Sequence, residues 1–118
     1  MNKRKLGQDF EDIACKYLID LGYSIEERNF HAGKIGEIDI IAKFNDIIYF
    51  VEVKGRSSLR FGTPAESISA SKLRKIRLTS SFYLNQKQLN QFETRFWVVE
   101  ILQQDTAYSI NVIEDIFS

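Results

Sequence analysis

Apolar positions along this chain switch between a helical and a strand period, and the switches mark out its elements. Leu6, Phe10, Ile13, Ala14, Tyr17, Leu18 and Leu21 recur at three- and four-residue spacing, which predicts an amphipathic helix over 6–21. Gly22 follows as its natural stop. Ser24 to Asn29 reads as a first strand, and the small and polar residues 30–36 as a loop. Glu37–Phe44 and Ile47–Lys54 are rich in β-branched and aromatic residues and predict two strong strands. Thr63-Pro64-Ala65-Glu66 has the form of a helix start, with a capping hydroxyl, a proline at the first helical position and a glutamate reaching back. That helix runs to about Leu84, with a second cap available near Ser69-Ala70-Ser71. Thr94–Leu102 and Tyr108–Ile113 are further strands. A helix between two strands is a crossover suited to a parallel pair.

The candidate chemistry lies in the two strong strands. Asn45-Asp46 between Phe44 and Ile47 forms a two-residue hairpin turn. Pairing Phe44 with Ile47 puts Ile41 opposite Phe50, Asp39 opposite Glu52 and Glu37 opposite Lys54. Period-two alternation then places Glu37, Asp39 and Ile41 on one face with Ile48, Phe50, Glu52 and Lys54. Glu52 also interrupts an apolar run, Ile47 to Val53, that otherwise reads as a buried strand. Directly opposed like charges destabilise a strand pair, and burial makes them costlier. A divalent cation held by Asp39 and Glu52 resolves both problems, and oxygen-only ligands select Mg²⁺ or Mn²⁺. Such an ion polarises a phosphoryl oxygen and acidifies water. Lys54, one pleat beyond Glu52, can then orient or deprotonate that water or stabilise charge in the transition state. The competing structural reading is a pair of salt bridges, Glu37 with Lys54 and Glu52 with an arginine. Glu11 falls at the border of the first helix's apolar arc, and by itself reads as an ordinary surface glutamate.

Composition narrows the field. The 118 residues suit one domain, with 44% hydrophobic residues to build its core. There is neither a repeat nor a linker, so 1–118 reads as a single domain. One Cys and one His leave no zinc cluster to build, and no glycine-rich phosphate loop is present. The single Cys fits a reducing compartment, and no long apolar run follows the basic residues Lys3, Arg4 and Lys5, so the expectation is a cytoplasmic protein with no membrane partner. Net charge is zero, but the cations cluster: Lys54, Arg56 and Arg60 near the Glu-x-Lys, then Lys72, Arg74, Lys75 and Arg77 on the predicted second helix.

Gly7-x-x-x-Glu11-x-x-Ala14, Gly36-Glu37-Ile38-Asp39-Ile40-Ile41-Ala42, Phe50-Val51-Glu52-Val53-Lys54 and Phe61-Gly62-x-Pro64 together resemble the YraN-type family of small bacterial proteins. That family is similar to the PD-(D/E)xK, restriction-endonuclease-like superfamily, with archaeal Holliday-junction resolvases as relatives. The resemblance implies an α/β fold with an α-β-β-β-α-β core, a mixed sheet flanked by helices, and Mg²⁺-dependent phosphodiester hydrolysis. It implies Asp39 and Glu52 as metal ligands, Lys54 as the catalytic lysine, and Glu11 as the helix-borne acid that completes the site. One position departs: many members carry an Asp in the later strand where this chain reads Arg95-Phe96-Trp97-Val98.

The leading expectation is therefore a structure-selective, repair-type DNA endonuclease that takes Mg²⁺ or Mn²⁺. Lys72 and Lys75 would hold phosphates, and Arg56 and Arg60 would grip the substrate near the scissile bond. DNA is favoured over RNA, weak sequence specificity is expected, and a two-fold junction substrate would favour a homodimer. Two other classes compete: an accessory protein that binds nucleic acid with this fold but cleaves little, and a purely structural interaction domain.

Overall fold

A computed structural model describes residues 3–56 and 68–117, with side chains from Asp9 onward. The elements run α1 (Lys3–Asp20), β1 (Ser24–His31), β2 (Glu37–Phe44), β3 (Ile47–Arg56), α2 (Ala70–Gln86), β4 (Glu93–Gln104) and β5 (Ala107–Ile113). This is the expected α-β-β-β-α-β order with one more strand. The five strands form one sheet in sequence order. β3 and β4 are parallel and every other neighbouring pair is antiparallel, so α2 is the crossover the parallel pair requires. Among the described residues, no helix is long and apolar enough to cross a membrane.

Local chemistry explains the boundaries. α1 begins at Lys3, before the apolar stripe does, and stops at Asp20, just before Gly22, whose φ of 102° lets Tyr23 N–H reach back to Leu18 carbonyl at 3.0 Å. The hairpin turn residues Asn45 and Asp46 have φ of 51° and 64°, the left-handed pair that matches strand twist. α2 starts from the second of the two caps foreseen, with Ser69 Oγ accepting from Lys72 N–H at 3.1 Å. The Thr63–Glu66 start signal, the Phe61-Gly62-x-Pro64 motif and Arg60 lie outside the described residues.

The sheet is the middle of three layers. Against α1 it packs Ile40, Ala42, Tyr49, Val51, Trp97, Val99 and Ile101 with Phe10, Ala14 and Leu18. Against α2 it packs Phe30, Ile38, Ile41, Ile48 and Phe50 with Ile76 and Tyr83. Two glycines permit close approach. A Cβ on Gly55 would overlap the ring of Phe10, so α1 crosses β3 where the strand has no side chain. A Cβ on Gly36 would lie 2.8 Å from Thr79 Oγ1, so the loop entering β2 is seated directly on α2. Trp97, at the departing position, fills the α1-side core with its ring 4.7 Å from Tyr49 and 5.8 Å from Tyr23.

Candidate metal and phosphodiester site

β2 and β3 pair from Phe44↔Ile47 to Ile40↔Val51, which is the register the hairpin predicts. The recorded pairing stops there, one residue short of Asp39 and Glu52. Beyond that point Asp39 Oδ2 accepts the Val53 N–H at 2.8 Å, standing in for the main-chain acceptor that the ended ladder no longer supplies. The expected pairing of Glu37 with Lys54 is not formed. Glu37 Oε2 instead lies 3.2 Å from His31 Nε2 on β1, and Lys54 stands beside Glu100 in the parallel register with β4.

The break also redirects Asp39. Ile38 and Ile41 join the α2-side core while Ile40 joins the α1-side core, so strict alternation fails around Asp39. On the neighbouring strand Asn29, between the pairs Arg28↔Ile40 and Phe30↔Ile38, takes a φ of 53°. Asn tolerates that left-handed conformation better than other non-glycine residues. An Asn inside a strand was the one available sequence signal of this irregularity.

Glu52 is 2% exposed in the central strand. Its Oε2 lies 3.4 Å from Lys72 Nζ, and its Oε1 meets no hydrogen-bond partner among the described residues. Burial first, and then the Asp39 charge, push the Glu52 carboxyl up to about 8, against the pull of Lys72 and Lys54. Asp39 is also raised, chiefly by burial, although the Val53 N–H and the Lys72 charge act the other way. Ionising Glu52 beside Asp39 is therefore costly when no cation is bound.

Glu11, in the first helix, is 7% exposed. Its Oε1 accepts from Arg28 Nε at 3.1 Å and from Asn29 Nδ2 at 2.9 Å, while Arg28 Nη2 reaches Asp12 Oδ1 at 2.7 Å. Burial raises the Glu11 carboxyl most, and the neighbouring Asp39 charge raises it further. So Glu11 is electrostatically linked to Asp39 but held by Arg28 and Asn29. Among the described residues no three ligand-type side chains gather as a ready metal cage. Sequence reasoning missed Arg28 and Asn29, whose contact with Glu11 spans 17 and 18 residues.

The cations divide. Lys72, expected on an outer phosphate grip, has its side chain 32% exposed and its ammonium on Glu52. Lys75 is exposed farther along α2, and Arg56 closes β3 opposite Leu102.

Among the described residues, a mixed five-stranded sheet covered on each face by one helix carries a buried carboxyl, Glu52, and a half-buried one, Asp39, where adjacent strands part. A family model described as "Uncharacterised protein family UPF0102" matches residues 10–101. The chain is 42% identical to a UPF0102 protein of Clostridium botulinum (strain Alaska E43 / Type E3) and 44% identical to one of Clostridium tetani, each match covering 97% of this chain and 94% of the relative. It is 40% identical to a UPF0102 protein of Caldicellulosiruptor saccharolyticus over 99% of this chain and all of the relative. The chain belongs to the UPF0102 family, the YraN-type family that its motifs resemble.

Proposed function

We propose that this protein is a divalent-cation-dependent endonuclease that hydrolyses DNA phosphodiesters, structure-selective rather than sequence-specific, with Asp39 and Glu52 at its centre. The observation that carries the reading is Glu52: a buried carboxyl on a central strand, facing the charge of a second acid, with an oxygen that no described residue satisfies. A buried oxygen without a partner is costly, and a bound cation would satisfy it. The donor set fits Mg²⁺ or Mn²⁺, because two carboxylates with water completing the shell suit a hard cation. Bound there, the ion would supply Lewis acidity toward the phosphoryl group and toward water.

The chain's own groups have separate roles in this reading. Asp39 and Glu52 would present anionic oxygens to the ion. Glu11, whose Oε1 is taken by Arg28 and Asn29, would have its Oε2 to offer as a third ligand. Lys54 orients the attacking water or stabilises charge as the water oxygen bonds to phosphorus and the ester P–O bond breaks; the water gives up its proton to solvent and the leaving oxygen takes one from solvent. Lys75 and Arg56 hold flanking phosphates without reading sequence, and Arg60 is assigned the same task. A two-fold branched substrate calls for two copies of the chain.

Cleavage of branched, flapped and single-stranded DNA with Mg²⁺ or Mn²⁺ tests the proposal, with Lys54→Ala alongside. Metal-dependent cleavage by the wild type, lost in the variant, is expected. Unchanged cleavage by Lys54→Ala refutes the role of the lysine. The grip of Arg28 and Asn29 on Glu11 favours a second reading, an accessory protein that binds nucleic acid and cleaves little. In that case DNA binding persists, calorimetry detects no Mn²⁺ binding, and Asp39→Asn changes nothing.

A further inference from the structure

We propose that Lys72 is a resident counter-ion of the carboxyl pair, which yields Asp39 and Glu52 to an arriving divalent cation and then presents its freed ammonium at the mouth of the same site. The inference rests on the metal-site reading above and goes beyond it. It takes Lys72 out of the outer phosphate grip and makes metal loading an exchange of one cation for another.

Three observations point this way. The ammonium sits 3.4 Å from Glu52 Oε2, longer than the 2.7–2.9 Å of a tight charge-assisted bond. Glu52 Oε1 remains unsatisfied beside it, so Lys72 attends to half of the carboxylate. And the side chain is 32% exposed while that of its partner is 3% exposed, so Lys72 can withdraw into water and Glu52 cannot. The position on α2 supports the exchange. Lys72 lies in the first turn, where its N–H is fixed by Ser69 and its backbone stays in place while its flexible stem moves. An ammonium and a divalent ion at one carboxylate repel, so both cannot hold the pair at full strength.

Mn²⁺ titration calorimetry at pH 8 on the full chain tests this, comparing wild type, Lys72→Met and Glu52→Gln. Lys72→Met should bind Mn²⁺ roughly tenfold more tightly, because a competing unit charge has been removed from the site. Its melting temperature in EDTA should fall, and Mn²⁺ should raise it further than it raises the wild type. NMR of lysine-¹³Cε-labelled wild type needs no variant: the Lys72 signal should shift saturably with diamagnetic Mg²⁺, with the dissociation constant that calorimetry gives for Mg²⁺. Equal or weaker Mn²⁺ affinity in Lys72→Met, together with its loss in Glu52→Gln, overturns the exchange and leaves the metal site standing. Absence of binding in both wild type and Lys72→Met overturns the metal site and the exchange together.

Discussion

Changing Glu52 to Gln should make the metal-free protein more stable at pH 8, although it removes an ion pair. The carboxyl is 2% exposed and pushed from 4.5 up to about 8 by burial and by Asp39. Between those values the native state keeps a proton that the unfolded chain gives up. Stability from this group is therefore fully present below about 4.5, declines as pH rises, and is lost above about 8. Moving one carboxyl that far corresponds to on the order of 4–5 kcal/mol. Asp39 and Glu11 are raised as well and act with the same sign. Against this, the variant loses its pairing with Lys72, which is small because that ammonium can return to solvent. A glutamine amide can also donate to Asp39. A net gain of roughly 2–3 kcal/mol at pH 8 remains.

Urea unfolding followed by circular dichroism, in EDTA from pH 5 to pH 8, measures it. Wild-type stability should fall across that range, and the Glu52→Gln slope should be much shallower. Mg²⁺ should reverse the ranking at pH 8. It stabilises the wild type by about 4.1 kcal/mol at a thousandfold excess over its dissociation constant and leaves the variant unmoved. A metal-free wild type whose stability is flat or climbs from pH 5 to pH 8, with the same profile in Glu52→Gln, refutes the reasoning.

Three further substitutions probe what positions the site. Asp39→Ala leaves the Val53 N–H without its acceptor, whereas Asp39→Asn keeps a carbonyl oxygen there. At pH 5, where repulsion from Glu52 is absent, the alanine variant should be less stable than the asparagine one by about 1–2 kcal/mol in urea unfolding, and equal midpoints contradict the capping role. Gly55→Ala drives a methyl into the Phe10 ring and should destabilise by about 1–3 kcal/mol, so an unchanged urea midpoint would show that α1 is not seated on β3 as described. Ser69→Ala removes the α2 cap and should cost about 1 kcal/mol in the same measurement, with no loss counting against the cap.

What the sequence discloses and what it conceals follow from how far apart the interacting residues lie. β2, its turn and β3 were readable because the information is local: β-branched runs flank an Asn-Asp pair that accepts positive φ. The parallel pairing of β3 with β4 was readable from the helix between them. The meeting of Asp39 with Glu52 was nearly readable, since it lies one residue past the hairpin ladder. The ion pair of Lys72 with Glu52 was not. A cluster of Lys72, Arg74, Lys75 and Arg77 shows which helix is basic, but the turn of α2 that faces the sheet depends on how Ile76, Thr79 and Tyr83 seat against it. One lysine of that cluster is thereby selected for the carboxyl pair.

The irregularity at Asn29 and Asp39 carries the same argument to the site as a whole. Glu11 belongs to the helix on one face of the sheet, and Glu52 to the face covered by the other helix. With strict alternation Asp39 would share only the second face, and the sheet would insulate it from Glu11. The positive φ of Asn29 and the break in β2 remove that separation. Asp39 consequently raises both Glu52 and Glu11, while Asn29 itself donates to Glu11. A local defect in pairing, which hydrophobic periodicity cannot register, is what lets Asp39 interact with an acid on each face of the sheet.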